Sequence, residues 1–426
     1  MKRRDFLKQS AAAAAAGMTF PYFVPSRVLA APGRKGANDK IIVGFVGTGG
    51  RARHLMVHEK LDDNGKIVAV ADCFLPRIEE AAKVVPGSDQ WKQYQNYREM
   101  FEKEKLDAVF VATTTHARAL ICAHAMQAGL DIYAEKPLTL TVAEGRILSN
   151  AAKKYKRVLQ VGTQQRSIPV NAYASKLVRE GAIGKVHTVI AYNFEPPQHW
   201  TPQPGQPVPD GLDWDEWCNQ TELRPYHPDL YRKWGLWWDY DGGGQSWGVS
   251  GWGTHALDQV QCALGTDDTG PVEIWPDEPG PSGKITMKYA SGTLLKLHGP
   301  KRHLEDLGAI FIGDKGKIDI QRGSYYPEPE ELLKGAPEKI PANSPGECVP
   351  HLANFFECVR TRQRPAADVE IGHRSTTVCH LVNICRELGR KLQWDPVAER
   401  FVGDDEANAK LSRPRRAGYE FPKDLA

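Results

Sequence analysis

The stretch Ile41-Ile42-Val43-Gly44-Phe45-Val46-Gly47-Thr48-Gly49-Gly50-Arg51-Ala52 decides the fold. Its first half is a short, β-branched apolar run, and its second half is a glycine-rich turn that leads into a helix-compatible segment, Arg53 to Lys60. Strand, glycine turn and helix follow one another in the order that cradles a pyrophosphate. Gly47 permits the tight turn and Gly49 lets the backbone approach the phosphates, while the helix N-terminus offers unpaired N–H groups. Thr48, Gly50 and Arg51 complete the loop as candidate cofactor contacts, and Ala52 takes the third small position.

A second apolar run, Ile67 to Ala71, ends on Asp72, 25 residues after Gly47. A carboxylate there grips the adenosine ribose and repels a 2′-phosphate, so NAD is favoured over NADP. Arg77 is close enough in sequence to relax that preference. Further strands are expected at Leu106–Ala112, opening into Thr113, at Leu130–Ala134, which delivers Glu135-Lys136-Pro137, and at Val158–Gly162, which leads into Thr163-Gln164-Gln165-Arg166. Helical stretches alternate with them. The pattern predicts an α/β chain with a doubly wound parallel sheet, a Rossmann domain, over residues 40–162. Residues 163–390 are expected to form a second, α+β domain, and 391–426 an extended arm.

These motifs, with Gly253-Thr254-His255-Ala256-Leu257-Asp258 further on, resemble the Gfo/Idh/MocA family of oxidoreductases, which includes glucose-fructose and inositol-dehydrogenase types. The resemblance implies that the second domain carries a large, mostly antiparallel open sheet. Alternating runs at Val186–Phe194, Ile285–Tyr289, Thr293–Leu297 and Ala309–Ile312 fit such a sheet. It also implies a homo-oligomer, a carbohydrate or cyclitol substrate, and a catalytic role for Lys136 beside the reacting hydroxyl. Thr113, Glu135 and Gln164 join the cofactor set.

His255 is the candidate general base, because an unperturbed imidazole accepts and returns a proton near neutrality. The family pattern places an aspartate four residues before this histidine, and here that position is Gly251. Asp241 or Asp258 then substitutes, or the proton takes another route. His116, Arg166, Asp258 and His373 are candidate substrate contacts. A long segment from Glu195 to Gln245 is rich in tryptophan, proline and glycine, suited either to packing or to stacking on sugar rings.

The bulk composition excludes several classes. The chain has 426 residues, 41% hydrophobic and 25% charged, with formal net charge +3. Setting aside the first 31 residues leaves 50 Lys and Arg against 51 Asp and Glu, which gives no electrostatic case for nucleic acid. Eight cysteines are scattered without a CxxC pair, so no structural metal is expected, and free thiols are favoured over disulfides.

The first 31 residues read as an address. Arg3-Arg4-Asp5-Phe6-Leu7-Lys8, followed by the alanine run from Ala11, resembles a twin-arginine export signal. Its apolar stretch is too short for a stable membrane anchor. Val28-Leu29-Ala30 suits cleavage, and residues 32–39 then form a linker. The expectation is a protein that is periplasmic or otherwise exported through the twin-arginine (Tat) machinery. It would carry its nucleotide tightly bound, since the cofactor is made in the cytoplasm. Three functions are open on the sequence. They are a nicotinamide-dependent oxidoreductase acting on a CH–OH group, a glycosidase or lyase using transient oxidation, and a non-catalytic sugar- or nucleotide-binding protein.

Overall fold

The computed structural model describes residues 40–241, 247–300 and 307–425. The export signal and the linker lie outside the described residues. The first half alternates strand and helix: β1 Ile41–Val46, α1 Gly50–His58, β2 Gly65–Ala71, α2 Leu75–Ala82, β3 Lys92–Tyr94, α3 Tyr97–Lys103, β4 Ala108–Val111, α4 Thr115–Gln127, β5 Asp131–Ala134, α5 Val142–Tyr155 and β6 Leu159–Val161. The six strands form one parallel sheet in the order β3-β2-β1-β4-β5-β6. The strand order reverses between β1 and β4, and ligands of such sheets bind in the crevice beyond the strand ends at that point. The short elements α2, β3 and α3 are absent from the sequence expectation.

The second half contains α6 Pro169–Arg179, β7 Val186–Tyr192, the short helices α7 Trp214–Cys218 and α8 Pro228–Arg232, α9 Gly253–Leu264, then β8 Pro271–Pro276, β9 Ile285–Tyr289, β10 Leu294–Gly299, β11 Ala309–Gly313, β12 Gly316–Gln321 and β13 Ser324–Glu328. Helices α10 Val349–Thr361 and α11 Val369–Leu388 follow, with β14 Leu392–Asp395, β15 Arg400–Phe401 and α12 Asp405–Ala409. Nine strands make one sheet, β13-β12-β11-β7-β10-β9-β8-β14-β15. Its neighbours are antiparallel except for β7 and β10, so the sheet is mixed and mostly antiparallel.

Apolar residues of α6, α9 and α11 pack with this large sheet in one core. The parallel sheet is covered on one face by α4 and α5, and on the other by α1, α2 and Phe355 and Phe356 of α10. The C-terminal half thus supplies part of the N-terminal core. Helix α11 joins the two cores. Gly372 lies so close to Val161 of β6 that a Cβ there would stand 2.2 Å from its Cγ2, while Arg386 near the other end donates to the carbonyl of Phe194 at 2.8 Å.

The stretch from 391 expected as an arm begins instead as sheet. Leu392, Trp394 and Phe401 are buried, and the alternation of buried and exposed side chains along β14 pairs it with β8. Only from Leu411 does the chain run without regular elements. All eight cysteines are free thiols, six of them buried. No helix among the described residues is long and apolar enough to cross a membrane.

Candidate active site

The glycine turn lies at the reversal point between β1 and β4. Gly47 has φ +84°, and a Cβ there would stand 2.7 Å from the carbonyl oxygen of Ala112, so only glycine fits. A Cβ at Gly50 would meet nothing within 4 Å, and one at Gly49 would meet only the end of Arg77 at 3.7 Å. The loop backbone therefore borders open space. No side chain caps α1 at Gly49, leaving its first N–H groups available to an anion. These features fit the pyrophosphate of a dinucleotide.

Asp72 lies at the end of β2. Its Oδ2 accepts from the Thr48 N–H at 2.8 Å and from the Thr48 hydroxyl at 3.1 Å, and its Oδ1 from the Phe74 N–H at 3.0 Å. Burial raises its pKa, and those hydrogen bonds with the nearby Arg77 charge work in the opposite direction. Thr48 was expected to touch the cofactor. It is fully buried, does not line the cleft, and donates to Asp72 from both its N–H and its hydroxyl. Arg77 donates to the Tyr231 hydroxyl at 2.8 Å and lies over that ring.

One cleft gathers Gly47, Gly49, Gly50, Arg51, Asp72 and Arg77 with Thr113, Glu135, Lys136, Gln164 and His255. Arg51 Nε donates to Glu135 at 2.7 Å. Burial opposes ionisation of Glu135, but the Arg51 charge and hydrogen bond prevail and hold its pKa below the usual range. With its amide oriented to suit its neighbours, Gln164 turns its oxygen to Arg51 and Arg322, 3.2 Å from each. Glu135 also packs against Gly162, where a Cβ would approach its carboxyl carbon to 3.0 Å.

Lys136 follows β5, and its peptide bond to Pro137 is cis. Its Nζ donates to the Gly251 carbonyl at 3.2 Å. The residue that breaks the family pattern thus holds the lysine through its backbone. Burial lowers the Lys136 pKa, while Glu135 and Asp241 oppose that shift. His255, on the first turn of α9, is 3% exposed, and its Nδ1 has no hydrogen-bond partner. Burial, reinforced by the charges of Arg322 and Lys136, pushes its pKa well below the usual range. The ring is therefore neutral, and no carboxylate among the described residues pairs with it.

The four expected substrate contacts do not line this cleft. His116 is fully buried with Nε2 2.7 Å from the Trp217 carbonyl oxygen. Arg166 and Asp258 form a bidentate pair, 2.8 Å on both contacts, and Ser375 adds a third bond to the carboxylate. This pair pins α9 and α11 to the turn after β6. His373 sits 2.7 Å from Glu399 and against Gly145 of α5. All four are packing and pairing residues, because burial of a polar group requires a partner.

Other residues face the cleft without having been expected there. Trp217, Tyr231 and Trp234 come from the tryptophan-rich segment, Trp252 precedes α9, and Arg322 follows β12. The segment also forms its own small core, with Trp214 stacked on Trp217 at 4.5 Å. Its aromatic composition was the available signal. The choice between packing and ligand contact was not readable, and single residues such as Trp217 do both. Arg118 of α4, almost fully buried, donates to the carbonyls of Pro137 and Thr113 and fixes the two loops on either side of the lysine.

A sheet reversal bearing a glycine turn and a buried carboxylate at the next strand end defines a dinucleotide-binding fold. Residues 41–163 match the family model described as "Oxidoreductase family, NAD-binding Rossmann fold", and 170–421 match "Oxidoreductase family, C-terminal alpha/beta domain". The chain belongs to the Gfo/Idh/MocA family.

A scyllo-inositol 2-dehydrogenase (NAD(+)) of Bacillus subtilis is 32% identical over 120 residues, 28% of this chain and 34% of that protein. A D-xylose 1-dehydrogenase (NADP(+)) of Hypocrea jecorina is 32% identical over 131 residues, 30% of this chain and 34% of that protein. These alignments span only 34% of each relative's length. Among solved structures, the WlbA dehydrogenase from Bordetella pertussis in complex with NADH and UDP-GlcNAcA aligns with TM-score 0.61 and 16% identity, covering 84% of this chain and 99% of that one. At that identity the likeness is one of fold.

Proposed function

We propose that this chain is an exported, NAD-dependent oxidoreductase acting on a secondary alcohol of a sugar, cyclitol or glycoside. One observation carries the reading. The cleft that begins at the glycine turn ends on Lys136 and the unpartnered Nδ1 of His255. Bound nicotinamide supplies a hydride acceptor. Lys136 takes the hydroxyl proton when its amine is neutral, a state that burial favours. The neutral His255 orients a neighbouring hydroxyl. NAD is the assigned cofactor on account of Asp72, with NADP admitted by Arg77.

The decisive experiment is mass spectrometry of nucleotide carried by the purified protein, followed by NADH formation with a panel of inositols, aldoses and glycosides. Bound nicotinamide nucleotide and turnover with at least one polyol are expected; a chain that neither carries nor binds NAD would overturn the reading. Lys136→Ala should lower turnover by at least about a hundredfold while nucleotide content persists.

Export rests on the twin arginines, the alanine run that follows them and the Val28-Leu29-Ala30 stretch. Arg3→Lys with Arg4→Lys should retain the protein in the cytoplasm, as measured by fractionation. A homo-oligomer is proposed from the open nine-stranded sheet, with sedimentation as its test.

A second reading is favoured by Gly251 standing where the family carries aspartate. In it, oxidation is transient, a leaving group departs from a neighbouring carbon, and the hydride returns. Glycoside cleavage without net NADH would select it.

A further inference from the structure

We propose that Asp241 is a positioning residue that helps hold the charge of Lys136, taking over from a different point in the chain the negative charge missing at Gly251. The proposal rests on the reading of Lys136 as the group that receives the alcohol proton.

Asp241 is 3% exposed. Its Oδ1 accepts from the Thr115 hydroxyl at 2.6 Å and its Oδ2 from the Ser250 hydroxyl at 2.7 Å. Both donors are neutral. Among the described residues no cation lies within ion-pair distance of this carboxylate, so its charge is left to act on its surroundings. Ser250, which fixes Oδ2, is bonded in sequence to Gly251, whose carbonyl receives the lysine amine at 3.2 Å. One turn therefore holds the carboxylate by a side chain and the lysine by its backbone. A serine and a glycine together provide what a single aspartate at 251 would have provided.

The other charged groups around the amine are already committed. Glu135 is bound by Arg51 at 2.7 Å. Arg118 gives two of its donors to the carbonyls of Thr113 and Pro137, its Nε having no partner among the described residues. Arg322 is paired with Glu347, and the buried His255 ring is neutral. Asp258, the other candidate to replace the missing carboxylate, is consumed by Arg166 at 2.8 Å. Asp241 alone combines burial, neutral donors and a shared turn with the lysine. With Glu135, which acts more strongly, it raises the affinity of Lys136 for the proton arriving from the alcohol, against the burial that lowers it. Burial raises the pKa of Asp241 itself, and the hydrogen bonds from Thr115 and Ser250 with the Lys136 charge work in the opposite direction.

The test needs neither substrate nor turnover. The full chain is acetylated with acetic anhydride across a pH series, and labelling of Lys136 relative to the exposed Lys103 is read by peptide mass spectrometry. Asp241→Asn should move the Lys136 midpoint down by on the order of one pH unit, and Asp241→Glu should restore it. Asp241→Ser, smaller and also neutral, serves if the asparagine variant does not fold, with the same downward shift expected. A midpoint unchanged in a folded neutral variant would overturn the proposal. If instead the midpoint shifts but Lys136→Ala keeps full turnover, the charge coupling stands and the role of Lys136 in the reaction falls.

Discussion

Gly47 ties a backbone angle to a binding surface. Alanine at this position meets the Ala112 carbonyl and must hold φ +84°, a combination that costs about 1–3 kcal/mol. Gly47→Ala should therefore lower the melting temperature and abolish nucleotide binding, checked by calorimetry with and without NAD. Replacing Asp72 with serine removes the carboxylate beside Arg77. The variant should gain affinity for NADP relative to NAD by at least about tenfold, measured by competitive titration. These residues were legible because their chemistry is local: a turn, a spacing, a strand end. Arg166, Asp258, His116 and His373 were not. The partners that bury them lie elsewhere in the chain, as with Arg166 and Asp258, 92 residues apart, and no spacing rule announces such a pairing. Asp241 was named among alternatives, but its tie to the lysine appears only when Ser250 and Gly251 fold beneath it.

At the scale of elements, the tryptophan-rich segment lines the cleft together with Asp72 and Arg77 and is held there from two sides. Its Glu216 pairs with Arg98 of α3 at 2.7 Å, and its backbone at Asp213 and Gly211 bonds to Cys73 and Leu75. From the other side comes the final stretch of chain. Arg416 reaches Asp215 at 2.5 Å and Tyr419 the same carboxylate at 2.6 Å, while Arg415 and Asp424 bind Glu144 and Lys154 of α5. Arg416→Ala with Tyr419→Phe should release α7, raising its hydrogen-exchange rate and shortening nucleotide retention after desalting by at least about tenfold. Exchange confined to wild-type levels in α7 would show that the arm is not what holds it. The parallel strands were readable from their unbroken apolar runs. Short pieces such as β3, and the sheet continuation at β14, depend on neighbours for their burial and left little trace in the sequence.

Across the whole molecule, buried neutral histidines shape the response to acid. Burial lowers His116 and His351 to about 4 and His380 to about 3. Their folded pKa values lie below the unfolded value of about 6.5, so the unfolded chain binds more protons between those limits. Stability is complete above about pH 6.5 and declines as pH falls toward 4, by up to about 1.4 kcal/mol per pH unit for each such histidine. Thermal unfolding at pH 7 and pH 5 checks this, with a clearly lower midpoint expected at pH 5.

Helix α11, about 30 Å long at its 20 residues, runs from Val161 in one sheet to Phe194 beside the other, with Ser375 bonded to Asp258 between them. A beam seated in both cores makes the halves poor candidates for exchange as cassettes. A chimera that takes its nucleotide half from one relative and its sheet half from another inherits a helix fitted to only one of them. New specificity in this lineage is more accessible through the loops that edge the cleft than through shuffling of the halves.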